Sequence, residues 1–313
     1  LAALSLAVSG ADAASAGSRA KFQPPDGRIL LILGQDVDTI HRYVEGTGLT
    51  PGGVMSYTSI QRLDGLDAPA DHGAGPVHAS ELLERYPYAV LQLGLYMVDA
   101  LDGVAAGEYD VQLERLAHWL KRIRRPVYLR VGYEFDAPPN HYEPEAYQRA
   151  YRRVVDVLRR QGVENAAYVW HSYAAKPARP VDAWYPGDEY VDWVGISYFG
   201  QAPEHQAAVM TFAQAHGKPV MIAEATPAGV GTAYDWLSWQ GWFAEFFRFI
   251  KDHRIPVVSY INTDWDSQRM WKGQGWEDAR VEANSSVKAA WLDEVTRPAY
   301  IHGSPDSRSL LAD

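Results

Sequence analysis

Glu134 and Glu224 each stand at the end of an apolar run, in "PVYLRVGYEF" and "KPVMIAEATP". An unpaired charge costs several kcal/mol to bury, so carboxylates in such places point to a site. Two carboxyl groups with pKa values pushed apart suit glycoside hydrolysis: one protonates the leaving oxygen and the other attacks the anomeric carbon. If hydrogen bonds hold Glu224 ionised, its charge raises the pKa of a nearby Glu134 and keeps it protonated. Arg130, four residues before Glu134, can orient either carboxylate through charge-assisted hydrogen bonds. The structural alternative is that one glutamate merely pairs with Arg130 or caps a loop.

These side chains need elements to carry them. From Arg28 onward, eight short runs read as strands: "RILLILGQD", "GGVMSYTSI", "YAVLQLGLYM", "PVYLRVGYEF", "AAYVWHSY", "VDWVGISYF", "KPVMIAEATP" and "IPVVSYINTDW". Each is nearly continuously apolar, as strands covered on both faces must be. Helical patterns lie between most of them. From Pro144 to Arg160, Tyr147, Tyr151, Val154, Val155 and Leu158 form one stripe. Leu113, Leu116, Leu120 and Ile123 mark a second helix; Trp242, Phe246, Phe249 and Ile250 mark a third. Eight alternating units predict a single (β/α)8 barrel over residues 21–313. An open doubly wound sheet is the alternative, but no G-x-G-x-x-G turn follows the first run. Asp64 to Gly75 reads as a loop.

Barrel active sites lie at the C-terminal ends of the strands. The strand ends offer Gln35 and Asp36, Tyr57, Tyr96, then Arg130, Tyr133, Glu134 and Asp136, then Trp170 and His171, Tyr198, Glu224, and finally Asn262 and Trp265. The two glutamates fall on strands four and seven. Gln35, Asp36, Tyr57, Tyr96, Tyr133, Asp136, Trp170, His171, Asn262 and Trp265 are therefore candidates for holding sugar, with Trp265 as the stacking platform. Each has a structural alternative: core packing for the rings, loop support for Asp136, a strand cap for His171. No H-x-H or H-E-x-x-H occurs, so neither a metal nor another cofactor is expected.

Composition narrows the classes. Formal net charge is −10 with no basic block, which argues against nucleic acid or an anionic membrane as partner. The absence of cysteine excludes disulfides and thiolate chemistry. Eleven Trp and nineteen Tyr supply the flat amphipathic surfaces that sugar-binding clefts use. Residues 1–20 begin with an apolar run followed by A-x-A patterns, which suggests the remnant of a secretory signal peptide or a tail. A secreted or periplasmic monomer, free of the membrane once that segment is removed, is the expectation. "NSS" at Asn284 matches a glycosylation acceptor.

The order of these motifs resembles the retaining (β/α)8 glycosidases, with acid/base on strand four and nucleophile on strand seven. Within them it is most similar to glycoside hydrolase family 26, the family of many β-mannanases. "RVGYE" gives Arg130 and Glu134 at that family's spacing, "YVDWVGISYF" is similar to its sixth strand, and "KPVMIAEATP" to its nucleophile strand. The resemblance implies Glu134 as acid/base, Glu224 as nucleophile, and Tyr198 as the tyrosine that touches the nucleophile. The chain departs from the family where Tyr133 replaces the usual His, and at Ala225-Thr226. The implied substrate is an oligo- or polysaccharide: β-mannan, β-glucan or a bacterial exopolysaccharide. A sugar-binding protein without turnover and a transglycosylase or exopolysaccharide-processing enzyme are the rival readings.

Overall fold

The computed structural model describes residues 19–176, 179–307 and 309–311. The apolar runs form eight parallel strands: β1 Ile29–Gly34, β2 Gly53–Ser59, β3 Val90–Tyr96, β4 Val127–Val131, β5 Ala166–Ser172, β6 Trp193–Tyr198, β7 Val220–Ala225 and β8 Val257–Ile261. Each pairs with the next, and β8 returns to β1, from Leu30 opposite Val257 to Gly34 opposite Ile261. The sheet is thus a closed barrel, which leaves no strand edge unpaired. A two-residue strand, Tyr300–Ile301, adds to the start of β1. The expected loop from Asp64 carries a small hairpin, Ala70–Asp71 against Pro76–Val77.

Alternation along the strands sorts side chains between two cores. Leu30, Met55, Tyr128, Val169, Trp193 and Met221 fill the barrel. Leu31, Leu91, Leu129, Trp170, Ile196 and Tyr260 face the helices. The three expected helices form, over Asp110–Ile123, Pro144–Arg160 and, beyond a π turn at Trp239–Phe243, Ala244–Asp252. Pro144 stands in the first turn of its helix, where a missing N–H costs nothing.

Among the described residues, no α-helix joins β5 to β6. Two 3-10 turns, Val181–Trp184 and Asp188–Tyr190, take its place. Pro180, Pro186 and Gly187 break up this segment, and Trp184 fills the space by packing on Phe135 with ring centres 5.7 Å apart. Asn284 accepts from Ser286 N and Val287 N at the start of the Ser285–Val295 helix, and its amide donates to Asp235. That side chain is therefore committed to a helix cap. The proposed signal remnant falls almost wholly on residues 1–18, outside the described residues. No helix among those described is long and apolar enough to cross a membrane.

Candidate active site

Strict alternation would turn Glu224 away from the barrel, because Met221 and Ala223 already face inward. A β-bulge resets the count. Against β6, Ile196 pairs with Ile222 but Ser197 with Glu224; against β8, Val258 pairs with Ile222 but Tyr260 with Ala225. One extra residue in β7 re-aims the carboxylate into the barrel mouth. There Glu224 accepts hydrogen bonds from Arg130 Nη1 and, at 2.9 Å, from Tyr57 OH. Arg130 is fully buried. Its guanidinium lies over the rings of Tyr57 and Tyr133, at 5.0 and 4.9 Å. Gly94 on β3 makes this possible: a Cβ there would lie 2.7 Å from Tyr57 Cδ1 and 3.0 Å from Arg130 Nη2.

Glu134 is delivered differently. Past the end of β4 the chain turns at Gly132 (φ +55°) and again at Glu134 itself (φ +51°). A non-glycine residue in this region costs about 1–3 kcal/mol, and the surroundings must hold it there. The Asn140 amide does so by donating to the carbonyls of Tyr133 and Glu134, at 3.1 and 2.9 Å. The Phe135 amide donates to the His171 carbonyl, and the Phe135 ring stacks on Trp170 at 4.3 Å. The carboxyl group accepts a 2.6 Å hydrogen bond from Ser197 Oγ. Burial first, and the charge of Glu224 second, push its pKa up to about 8. The two glutamates therefore share one electrostatic environment, and both burial and the neighbouring charge favour the protonated form of Glu134.

Aromatic rings flank this pair. On one side Tyr57, Tyr133 and Tyr96 adjoin in sequence, at 5.4 and 6.3 Å between centres. On the other, Tyr173 meets Phe199, Phe199 meets Trp276, and Trp276 packs on Trp271 and Trp265. Trp265 stands at the rim as expected, but only 3% of it is accessible. Its indole N–H donates to Thr226 Oγ1, and Trp271 and Trp276 cover it. The accessible rings of this wall are thus Trp271 and Trp276, together with Tyr173. The spacing of three Trp within 265–276 was the available signal for them.

Several expected site residues are committed elsewhere. Tyr198 follows the inward Ser197 and so points outward, against Trp242, Phe246 and Phe249 at 5.1–5.6 Å. The tyrosine that touches Glu224 is Tyr57. Trp170 is likewise an outward residue, fully buried, with its N–H on the Trp184 carbonyl. Asn262 bonds Glu282 and the Val281 amide, both in the 3-10 turn Val281–Ala283. Asp36 caps the helix Val37–Thr47 through Thr39 and also accepts from Thr263. Asp136 accepts from Ser172 Oγ and the Tyr173 amide, and so supports the loop. Gln35 is buried and ties the Ala74 carbonyl to the end of β1. His171 does reach the carboxylate network, but from inside the barrel, bonded to Ser197 Oγ and Arg130.

The two tyrosines give a direct contrast. Tyr57→Phe removes a hydrogen bond to a charged group, worth about 1.5–3 kcal/mol; kcat/KM should fall roughly ten- to a hundredfold. Tyr198→Phe should leave kcat/KM within about twofold, because its ring faces the helices. Steady-state kinetics on the paired variants checks both.

Residues 92–277 match the model of glycosyl hydrolase family 26. A beta-1,3-xylanase from an Alcaligenes species is 34% identical, with 97% of this chain and 71% of that protein covered. A beta-1,3-xylanase from a Vibrio species is 35% identical, with 97% and 72% covered. Among solved structures, a family 26 beta-mannanase from Bacteroides ovatus superimposes with a TM-score of 0.62 at 17% identity, covering 88% of this chain and 91% of that one.

Proposed function

The chain belongs to glycosyl hydrolase family 26, and on that premise we propose that it is a retaining endo-hydrolase of β-1,3-xylan. Glu224 is the nucleophile and Glu134 the acid/base. The observation that carries the assignment is the contrast between the carboxyl groups: Glu224 held by Arg130 and Tyr57, Glu134 pushed up to about 8. In the first step a Glu224 oxygen bonds to the anomeric carbon as the glycosidic C–O bond breaks. The proton of Glu134 passes to the departing oxygen. In the second step Glu134, now a carboxylate, takes a proton from water. The water oxygen displaces Glu224 from the anomeric carbon. Once Glu224 is esterified it no longer carries the charge that raised Glu134, so the pKa of Glu134 falls when it must act as a base.

Endo action is supported by rings spread along both flanks of the carboxylates, which suit several sugars of one chain. The xylan assignment is supported by the two beta-1,3-xylanases matched over 97% of the chain. Such a polymer is met outside the cell, so the reading includes export. The reading takes the protein as a monomer, with Arg130, Tyr57 and Ser197 of the same chain bonded to the two carboxyl groups.

Incubation with β-1,3-xylan, β-1,4-xylan, β-1,4-mannan and β-1,3-glucan tests the proposal. Short β-1,3-xylo-oligosaccharides, with viscosity falling ahead of reducing-end release, are the expected result. Faster cleavage of mannan, or xylose as the sole first product, contradicts it. The pH profile adds a second check. Glu134 must be protonated to act as an acid, so kcat/KM should hold up to about pH 8 and fall about tenfold per unit above it. An alkaline limb near pH 5 contradicts the assignment.

A further inference from the structure

A chain of hydrogen bonds connects the two carboxyl groups through the barrel interior. Arg130 Nη1 donates to Glu224 and lies 3.3 Å from His171 Nδ1; His171 Nε2 lies 3.0 Å from Ser197 Oγ; Ser197 Oγ lies 2.6 Å from Glu134 Oε1. Arg130, His171 and Ser197 are all fully buried. Donors and acceptors follow in order from the Arg130 end. Guanidinium has no lone pair to offer, so His171 Nδ1 must accept. The ring proton then sits on Nε2 and donates to Ser197 Oγ. Ser197 has one proton left to give, and it goes to Glu134 Oε1. A proton on Oε1 would collide with that donor.

We propose that Arg130, His171 and Ser197 form a relay of fixed direction that confines the transferable proton of Glu134 to Oε2. Arg130 touches the nucleophile, whereas His171 and Ser197 act as positioning residues that reach the reaction through Glu134. In the protonated state the relay leaves one carboxyl oxygen to carry the acidic proton. After transfer the same Ser197 hydroxyl stabilises the carboxylate without reorienting. No residue in the relay gains or loses a proton during turnover. His171 stays neutral because burial and the adjacent Arg130 charge both disfavour imidazolium. The groups around Glu134 that set its titration are Glu224, Arg130 and Asp136, with Tyr142 and Tyr173 nearby. Ser197 adds a hydrogen bond that lowers the pKa against the effect of burial.

This inference rests on Glu134 being the acid/base, so its tests must be separable from that assignment. The first does not depend on activity: 15N NMR of the His171 ring in the full-length protein. A protonated Nε2 and a bare Nδ1 from pH 6 to 9 are expected. A proton on Nδ1, or an imidazolium, overturns the relay. The second uses Ser197→Ala, His171→Phe and His171→Gln, each first checked for an unchanged fold. The Gln amide can accept from Arg130 through its oxygen and donate to Ser197 through its nitrogen, so it preserves the direction; Phe cannot. Ser197→Ala and His171→Phe should lower kcat on polysaccharide roughly tenfold or more with little change in KM, and should move the alkaline limb upward. His171→Gln should keep the limb in place. If all three variants leave the limb unmoved, or if Gln and Phe shift it alike, the side chains only pack and the relay is wrong. If the tautomer is as expected but Glu134→Gln keeps activity on poor leaving groups, the acid/base assignment has failed instead.

Discussion

Glu224→Gln should abolish turnover on every substrate, whatever its leaving group, by roughly ten-thousandfold or more. The amide is close in shape to the carboxylate but cannot form the glycosyl ester, and no leaving group compensates for a missing nucleophile. The substitution also leaves Arg130 fully buried without its counter-charge. Breaking a buried pair in this way is destabilising, by about 3–5 kcal/mol when a partner is removed outright, so melting temperature must be recorded beside the rate. Lost activity in a protein that still folds separates chemistry from stability. Comparable kcat on aryl glycosides and on polysaccharide, both near wild type, contradicts the assignment.

Glu134→Ala should behave otherwise, because protonation matters only when the leaving group needs it. On polysaccharide, kcat should fall roughly a hundred- to ten-thousandfold. On an aryl glycoside with an acidic phenol the first step should proceed, and the glycosyl-enzyme should accumulate because no base activates water. Azide needs no base and should restore turnover, releasing a β-glycosyl azide. The β configuration follows from two inversions at the anomeric carbon. An α-azide, or no rescue while Glu134→Ala retains its fold, removes Glu134 from this role. Alanine also relieves nothing of the positive φ at residue 134, so a glycine variant provides the control for backbone strain.

How far the sequence reveals the site depends on which rule governs each position. Strand number, order and closure follow from hydrophobic runs that must be covered on both faces, and these were legible. Which face a strand-end residue takes was legible only by counting in twos from the barrel interior. That count places Ser197 inward with Trp193 and sends Trp170, Tyr198 and Asn262 outward. Choosing polar and aromatic residues by position alone therefore admitted three that serve the helix layer. Glu224 shows the opposite failure: the count gives the wrong face, because the bulge in β7 is a property of pairing with both neighbours and leaves no mark in the run "VMIAEA". Gly94 is silent in the sequence for a related reason. Its importance lies in what a methyl group would strike, Tyr57 and Arg130, on two other strands.

The most direct test of the account is to find which residue carries the sugar. A 2-fluoro-xylosyl donor with a reactive leaving group should form the glycosyl-enzyme and hydrolyse it slowly, since fluorine at C2 destabilises both oxocarbenium-like transition states while the leaving group rescues only the first. Peptide mapping by mass spectrometry should then locate one fluoro-xylosyl ester, on Glu224. An ester on Glu134 or on any other residue would contradict the account.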